Sequence, residues 1–442
     1  MRLSNHLDKG FWSSAVQVLI AAYGLAFMFL AVRVLPEKEF GNFVLIQMAF
    51  LIAAQLGSGF AFAPLVKYLY DYEDRRILLT STLILGMGFF VASGSIIWFL
   101  SVPLGKLFNS TEFARLAFFI PILMTVSFGK FFTHQLLRAL YRIRSIFLIE
   151  LTYHGFVVGL IVYFTYSSGL KAAYQLLEIL VISLFAASLV GVWLVRDQMR
   201  FALRLDLSCL RTLFSYGKYI LGAVVNGQIY ERLDVFMIAA FVGPVEVAVF
   251  QSAKLFMRIL DMYRRVVNLL AMPGFSKLNS EKRKKDIKAA YEKGILFSHV
   301  LLVPLSVVLI IFAKKLYLFI YGGKYVDGVI LLQIFAIAGP LLAWQCLGEG
   351  LLNGLGFPQI SFGARTATTV IKVILNLILI SLFQSLGAVI ASDVAMVILA
   401  SVVTWGVKSK IGFSLPGILS RFSDIINFIK MAKVQLERTL FI

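Results

Sequence analysis

The feature that most constrains this chain is the series of long apolar stretches that follow one another along it. A helix needs about 20 mostly apolar residues to cross the hydrocarbon core of a bilayer. Twelve stretches reach this length: 11–32, 41–66, 77–103, 115–137, 146–167, 173–195, 214–242, 244–272, 294–320, 326–352, 359–383 and 386–407. The longest connection, residues 276–293, is too short to form a folded extramembrane domain. We therefore predict an all-α integral membrane protein with about 12 transmembrane helices.

The composition argues against a soluble enzyme. Only 15% of the 442 residues are charged, whereas soluble domains carry about a quarter. The sequence contains no GxxxxGK[ST] phosphate-binding loop, and its two cysteines and four histidines lack the spacing of a metal site. We predict a protein with no metal, no cofactor and no enzymatic activity.

Lys and Arg residues are concentrated on one side of the predicted membrane. The chain ends and every second connection carry 25 of them, and the alternate connections carry 6. Because cytoplasmic loops are enriched in Lys and Arg, both termini are predicted to be cytoplasmic. The net charge of +19 then indicates contact with anionic membrane lipids rather than with nucleic acid. The basic run at 281–285 is predicted to attract anionic lipid, with docking of a specific partner as the alternative.

The chain is predicted to be duplicated. The turn at 34–40 and the turn at 242–248 each join two apolar stretches around a proline, at corresponding places in two sets of six stretches. Paired transmembrane repeats are a common plan among transporters. We predict one six-helix bundle over 1–205, a second over 206–410, and a cytoplasmic amphipathic tail over 411–442. The tail either lies at the membrane interface or packs on the helices.

Ionisable residues occur inside the predicted spans, where each costs at least about 2.5–3.5 kcal/mol. Most are basic and lie in the second half of the chain: Glu231, Arg232, Asp234, Lys254, Arg258, Asp261, Arg265, Arg365 and Lys372. Helical spacing places the four charges from Lys254 to Arg265 on one face. One explanation is internal pairing, with Glu349 and Asp393 as further acids. Arg265, near the end of its stretch, is expected to extend towards the lipid headgroups instead. A row of cations facing a cavity suits a phosphate or pyrophosphate better.

Four more ionisable residues lie in the fourth and fifth stretches: Lys130, His134, Glu150 and His154. Lys130 and His134 could extend the cationic lining of a cavity. Glu150 and His154, four residues apart, could form a proton-linked pair because histidine titrates near neutral pH. A buried hydrogen bond between helices is the alternative.

The sequence resembles the oligosaccharidyl-lipid flippases of the multidrug/oligosaccharidyl-lipid/polysaccharide (MOP) superfamily, and most of all their Wzx-type O-antigen and polysaccharide branch. The resemblance covers residues 8–410. It rests on the turn Leu35-Pro36-Glu37-Lys38-Glu39-Phe40-Gly41, on Leu352-Asn353-Gly354-Leu355-Gly356 before the eleventh stretch, and on the six-plus-six layout with basic cytoplasmic ends. Lipid II flippases typically have two further helices, which favours a polysaccharide unit over a peptidoglycan precursor.

The resemblance implies a fold like that of the multidrug-extrusion (MATE) transporters, with two six-helix bundles working by alternating access. The implied substrate is an undecaprenyl-pyrophosphate-linked oligosaccharide moved from the cytoplasmic to the outer leaflet of a bacterial inner membrane. A polysaccharide polymerase and a chain-length regulator are the implied partners. We expect the pyrophosphate to bind a set of cations: Arg258, Lys254, Arg232, Arg365, Lys372 and Lys130. Coupling or gating is expected from Asp261, Glu231, Asp234, Glu150 and His154.

Two other functions are compatible with the same apolar pattern. An ion-coupled multidrug or metabolite antiporter would have the same fold, but cationic substrates favour an acidic cavity and the deep charges here are mostly basic. A membrane-embedded polysaccharide polymerase or ligase usually carries a sizeable external loop, and the predicted external connections are all about a dozen residues or fewer.

Overall fold

The computed structural model describes residues 3–72, 74–167, 169–202 and 206–422, with side chains from residue 11 onward. These residues form helices joined by short turns, and no strand occurs among them. The first ten helices are α1 Leu3–Phe27, α2 Glu37–Gly57, α3 Ala63–Tyr68, α4 Arg75–Phe99, α5 Ser101–Leu107, α6 Thr111–Leu116, α7 Phe119–Ala139, α8 Ile143–Ser167, α9 Ala173–Val195 and α10 Leu207–Phe241. The others are α11 Pro244–Phe256, α12 Arg258–Ser280, α13 Lys284–Tyr321, α14 Gly328–Ala338, α15 Leu341–Gly354, α16 Pro358–Ile411 and α17 Leu415–Ser420.

The helices confirm the predicted all-α membrane fold. Two π-helical segments, Met28–Val32 after α1 and Ser58–Phe62 between α2 and α3, continue these helices. Every one of the twelve predicted stretches therefore coincides with a helix, part of a helix, or helices that follow one another directly. Within the described residues, seven helices are long and apolar enough to cross a membrane, or eight if α14 and α15, bent by 45°, form one span. Helices α7, α10 and α12 are not among them, because they carry many of the ionisable residues discussed above.

Two breaks in the helices test the predicted boundaries. Helix α16 covers two predicted stretches and departs from helical geometry at Gln384, where φ is 55° and ψ is −134°; the sequence placed a connection at the same point. The prediction of one continuous helix over 244–272 is wrong, because α11 ends at Phe256 and α12 begins at Arg258. Lys254 is therefore in a different helix from Arg258, Asp261 and Arg265, and the single face predicted for all four stays a prediction.

The chain forms two compact units, which are described separately: unit 1 comprises 1–255 with 317–328, and unit 2 comprises 256–316 with 329–442. In unit 1, α7 packs on α4 and α9, and α8 packs on α1 and α9. In unit 2, α15 packs on α12 and α16. The predicted duplication into 1–205 and 206–410 concerns an internal repeat and stays a prediction.

Residues 317–328, at the end of α13 and just after it, are held in unit 1 by tyrosine and lysine side chains. The hydroxyl groups of Tyr317 and Ser252 are 3.1 Å apart, and Tyr321 donates to the Ser252 carbonyl at 3.0 Å. Lys324 donates to the carbonyls of Val34 and Leu35 at 3.1 and 3.2 Å. The turn between α1 and α2 therefore binds a segment almost 300 residues further along the chain.

The described part of the tail packs on unit 2. The rings of Phe413 and Tyr291 are 5.2 Å apart, and the Arg421 guanidinium lies 3.4 Å from the buried Glu292 carboxylate. The packing alternative therefore holds for this part of the tail. Ile425, Ile426 and Ile429, on which the amphipathic prediction also depends, lie outside the described residues.

Candidate substrate-binding and coupling sites

Four ionisable side chains that are far apart in the sequence meet between α7 and α8 in unit 1. Lys130 Nζ lies 3.0 Å from Glu150 Oε2, and His154 Nε2 lies 3.4 Å from the same oxygen. His134 Nε2 lies 3.9 Å from Glu150 Oε1. We call these four residues the Glu150 cluster. Glu150 lies beside His154, and it accepts a hydrogen bond from Lys130 between α7 and α8, as the hydrogen-bond alternative describes. A proton-linked role for Glu150 and His154 stays a prediction.

Lys130, Glu150 and His154 of the Glu150 cluster are buried, whereas His134 is partly exposed. The side chains of Lys130 and Glu150 are only 13% and 12% exposed. The ammonium of Lys130 also lies 4.0 Å from the ring centroid of Tyr153, a distance suited to a cation–π contact. The ring of Tyr23, on α1, lies 4.1 Å from the His154 ring. Three helices therefore hold the cluster, and neither tyrosine stood out in the sequence as a functional residue.

Ser188 on α9 fixes the stretch of α7 that carries Lys130. Its hydroxyl accepts a hydrogen bond from the Lys130 backbone N–H at 2.9 Å and donates one to the Val126 carbonyl. These are the two backbone groups that a regular helix pairs with each other. A side chain in that position sets the local geometry of a helix, so α9 helps to position Lys130.

A second charged group in unit 1 lies on α10 and α11. The Arg232 Nε donates to Gln228 Oε1 at 2.7 Å, and one of its terminal nitrogens lies 2.9 Å from the Met48 sulfur. Lys254 Nζ donates to the Glu231 carbonyl at 2.6 Å and lies 3.9 Å from the carboxylate of the buried Asp234. Lys254 lies near the carboxylate of Asp234, as the pairing alternative requires, and Arg232 contacts a side-chain amide and a thioether.

The remaining candidates lie in unit 2. Arg365, on α16, donates from one nitrogen to both carboxylate oxygens of Glu349, on α15, at 2.8 and 2.7 Å. Asp261 pairs with Arg264 at 3.0 Å within the first turns of α12, where Arg258 is the first residue. Lys372, in the middle of the first part of α16, is only 5% exposed. A lysine buried to this degree in a membrane helix is costly and is the strongest functional candidate of unit 2.

Two clefts open on unit 1 near the predicted cytoplasmic ends of its helices. The tyrosine cleft has a volume of about 360 Å³ and is lined by Tyr68, Arg211, Thr212, Ser215, Tyr216 and Tyr219. The arginine cleft measures about 560 Å³ and is lined by Asp74, Arg75, Arg76, Leu79, Asp197, Gln198 and Arg200. No sequence motif marked either cleft. The tyrosine cleft is lined by residues of α3 and α10, and the arginine cleft by residues of α4, the turn before it and the α9–α10 connection. These segments come together only in the fold.

The carboxylates of the arginine cleft already accept hydrogen bonds from neighbouring groups. Asp74 accepts the Arg76 backbone N–H at the start of α4. Hydrogen bonds from Arg142 and Gln198 lower the pKa of Asp197 to about 2. In the part of the chain that the structure describes, no group of three His, Cys, Asp or Glu side chains could hold a metal ion.

Comparison with solved structures defines the class of fold. The chain is similar to the lipid II flippase MurJ in an inward closed conformation, with a TM-score of 0.76, 14% identity, and coverage of 93% of this chain and 89% of MurJ. It is also similar to an inward-facing multidrug resistance MATE transporter of the MOP superfamily, with a TM-score of 0.74, 16% identity, and coverage of 90% and 94%. The protein therefore has the MOP membrane-transporter fold.

Sequence comparison places the chain within this class. A family model described as "Polysaccharide biosynthesis protein" matches residues 30–330, and the chain belongs to that family. A probable low-salt glycan biosynthesis flippase, Agl15 of Haloferax volcanii, is 24% identical over 52% of this chain and 48% of its own length. An uncharacterized membrane protein of Methanocaldococcus jannaschii is 27% identical over 41% of this chain and 36% of its own. The chain thus spans less than half the length of these two relatives.

Proposed function

We propose that this protein is a flippase that moves a polyprenyl-pyrophosphate-linked oligosaccharide from the cytoplasmic to the outer leaflet for polysaccharide biosynthesis. One observation carries the proposal. The chain belongs to the polysaccharide biosynthesis family and has the MOP fold, and most of the charged residues predicted to lie inside its membrane helices are cations rather than acids. A pyrophosphate carries several negative charges and needs several charge-assisted donors. Membrane-embedded Arg and Lys supply them where water is scarce.

In this proposal Arg258 and Lys372 bind the pyrophosphate, and alternating access carries it across the membrane. Arg232, Lys254 and Arg365 exchange their present partners for phosphate oxygens during the cycle. The exchange is chemically reasonable because each partner is an amide oxygen, a carbonyl or a carboxylate within 3.9 Å. Asp261, Glu231 and Asp234 take up released cations, and the predicted cytoplasmic termini and bacterial inner membrane are part of the same proposal.

The Glu150 cluster is proposed as the coupling site. It contains one carboxylate, one ammonium and two imidazoles, so that gain or loss of one proton changes its net charge inside a low-dielectric environment. In this role, Lys130 stays paired with Glu150 in the present state. Its predicted contact with the substrate then forms only in another state of the transport cycle.

The second candidate function is an ion-coupled multidrug or metabolite antiporter. The observation in its favour is the similarity to a MATE transporter over 90% of the chain. Such a protein would extrude organic cations from cells, and loss of its gene would raise their intracellular level without changing lipid-linked glycan.

Deletion of the gene tests the proposed function. We expect lipid-linked oligosaccharide to accumulate on the cytoplasmic face and to return to normal with the wild-type gene. Arg258→Ala should restore translocation about 10- to 100-fold less well, the effect of losing one charge-assisted contact to phosphate. Arg265→Ala, two turns further along α12, is the matched control and should complement. Normal lipid-linked oligosaccharide in the deletion strain would contradict the flippase and favour the antiporter.

The Arg365–Glu349 pair allows a test that separates substrate binding from helix packing. Arg365→Ala should lower stability by about 1.5–3 kcal/mol, because Glu349 loses a charged hydrogen-bond partner, and should also abolish translocation. The double variant Arg365→Met with Glu349→Leu should regain stability, measured by thermal unfolding of the purified protein, without regaining translocation. Recovery of both properties would show that Arg365 serves packing alone.

A further inference from the structure

The tyrosine cleft lies at the end of unit 1 that the charge distribution predicts to face the cytoplasm. Tyr68 is the last residue of α3, just before the connection that leads to α4. Arg211 is in the second turn of α10, which follows the predicted cytoplasmic connection from α9. A substrate made at the cytoplasmic surface therefore has direct access to this cleft.

Aromatic rings form the walls of the tyrosine cleft. The rings of Tyr68 and Tyr216 meet edge to face, with centroids 5.7 Å apart. Lys67 Nζ lies 4.6 and 4.3 Å from these two centroids and donates to the Tyr68 hydroxyl. Tyr219 is 72% exposed, and the Lys218 ammonium lies 5.1 Å from its ring centroid. The flat, electron-rich face of a tyrosine ring suits the polarised C–H groups on one face of a sugar ring.

The polar groups of the cleft complement a phosphorylated sugar. Arg211, Ser215 and Tyr219 follow one another at four-residue spacing, so one face of α10 presents a guanidinium and two hydroxyl groups. Among the described residues that line the cleft, none has a carboxylate. Lys67 and Arg211 therefore make the site positive, and Arg suits the bidentate contacts that phosphate offers.

The size of the cleft limits what it can hold. Its volume of about 360 Å³ lies near the lower end of small-molecule clefts, about 300–1,000 Å³. This volume is sufficient for a monosaccharide phosphate. A phospholipid headgroup would satisfy the two cations, but it has no flat apolar face to lie against three tyrosine rings.

We propose that the tyrosine cleft is a capture site for the sugar–phosphate end of the lipid-linked glycan, occupied before the substrate reaches the membrane-embedded cations. This inference rests on the proposed flippase function and adds a separate recognition step to it. Recognition outside the membrane core lets the protein select the first sugar while the rings and hydroxyls are still accessible to water. The lipid tail remains in the bilayer throughout.

Photo-crosslinking in cells tests this proposal with the lipid-linked glycan that the cells themselves make. The full-length protein carries benzoylphenylalanine at position 219, inside the cleft. The matched control carries it at Phe214, on the same helix and also exposed but outside the cleft lining. Adducts are analysed by mass spectrometry, and mild acid releases glycan from sugar phosphates. We expect about tenfold more glycan-bearing adduct at 219 than at 214, equivalent to a 1.4 kcal/mol preference.

Each outcome has a defined meaning. A glycan-bearing adduct at 219 that is about tenfold weaker at 214 supports the capture site. A phospholipid adduct at 219, equal glycan adducts at both positions, or no glycan at 219 would overturn it. If the deletion strain accumulates lipid-linked oligosaccharide while 219 captures none, only the capture site is wrong. If the deletion strain accumulates none, the proposed function itself is wrong.

Discussion

Glu150→Ala is expected to destabilise the protein by about 3–5 kcal/mol, the cost of removing one partner of a buried ion pair. The variant leaves the Lys130 ammonium, whose side chain is 13% exposed, without the carboxylate that lies 3.0 Å from it. The cost arises from the uncompensated charge rather than from the lost contact. Thermal unfolding of the purified full-length protein in detergent measures the effect.

The chain contains a matched control for this experiment. Arg115 and Glu112 are also 3.0 Å apart, but Arg115 is 78% exposed. Because exposed pairs contribute about 0–1 kcal/mol, Glu112→Ala should change stability very little. The double variant Lys130→Met with Glu150→Leu should recover most of the loss, because it removes the buried charge. Equal effects of Glu150→Ala and Glu112→Ala would show that burial does not set the strength of the Glu150 cluster.

Gly41→Ala is expected to be the most disruptive single-methyl change in unit 1. A Cβ atom at Gly41, near the start of α2, would overlap the backbone carbonyl oxygen of Pro244 at the start of α11. Overpacking usually costs about 1–3 kcal/mol, and a backbone obstacle cannot rotate away as a side chain can. We expect a loss at the upper end of that range, measured by thermal unfolding.

Gly88→Ala is the control for this substitution. Gly88 is also helical, but its Cβ would meet nothing within 4 Å. Alanine there should be neutral or stabilise by about 0.5–1 kcal/mol, because it lowers the entropy of the unfolded chain. If Gly41→Ala were as stable as Gly88→Ala, α2 and α11 would not approach each other this closely.

The Gly41 contact also explains two turns that stood out in the sequence. Pro244 belongs to one of the two proline turns that suggested a duplicated chain, and Gly41 directly follows the other, at 34–40. The structure brings these turns into direct contact. Gly41 is also the last residue of the motif on which the family resemblance rests. A glycine suits this position because a side chain there would overlap the Pro244 carbonyl.

The positions of the helices could be predicted because they depend on local properties of the chain. The predicted connection at 384–385 coincides with the break at Gln384, and the all-α membrane fold follows from apolar length alone. The break at Met257 was not predicted, because the residues around it have helical propensity and no Pro or Gly marks the site. The place of residues 317–328 in unit 1 was not predicted either. It depends on Tyr–Ser and Lys–carbonyl contacts, which no periodic pattern of the sequence indicates.

The order of apolar and polar residues by itself determined that the chain is a helical membrane protein, and it predicts which charged residues lie inside the bilayer. Only the tertiary structure decided which charges meet. Lys130 and Glu150 are 20 positions apart, Glu349 and Arg365 are 16 apart, and Tyr68 lies far from Tyr216 in the chain. The strength of an ion pair or a binding cleft depends on distance and burial, and both are set by how the helices pack.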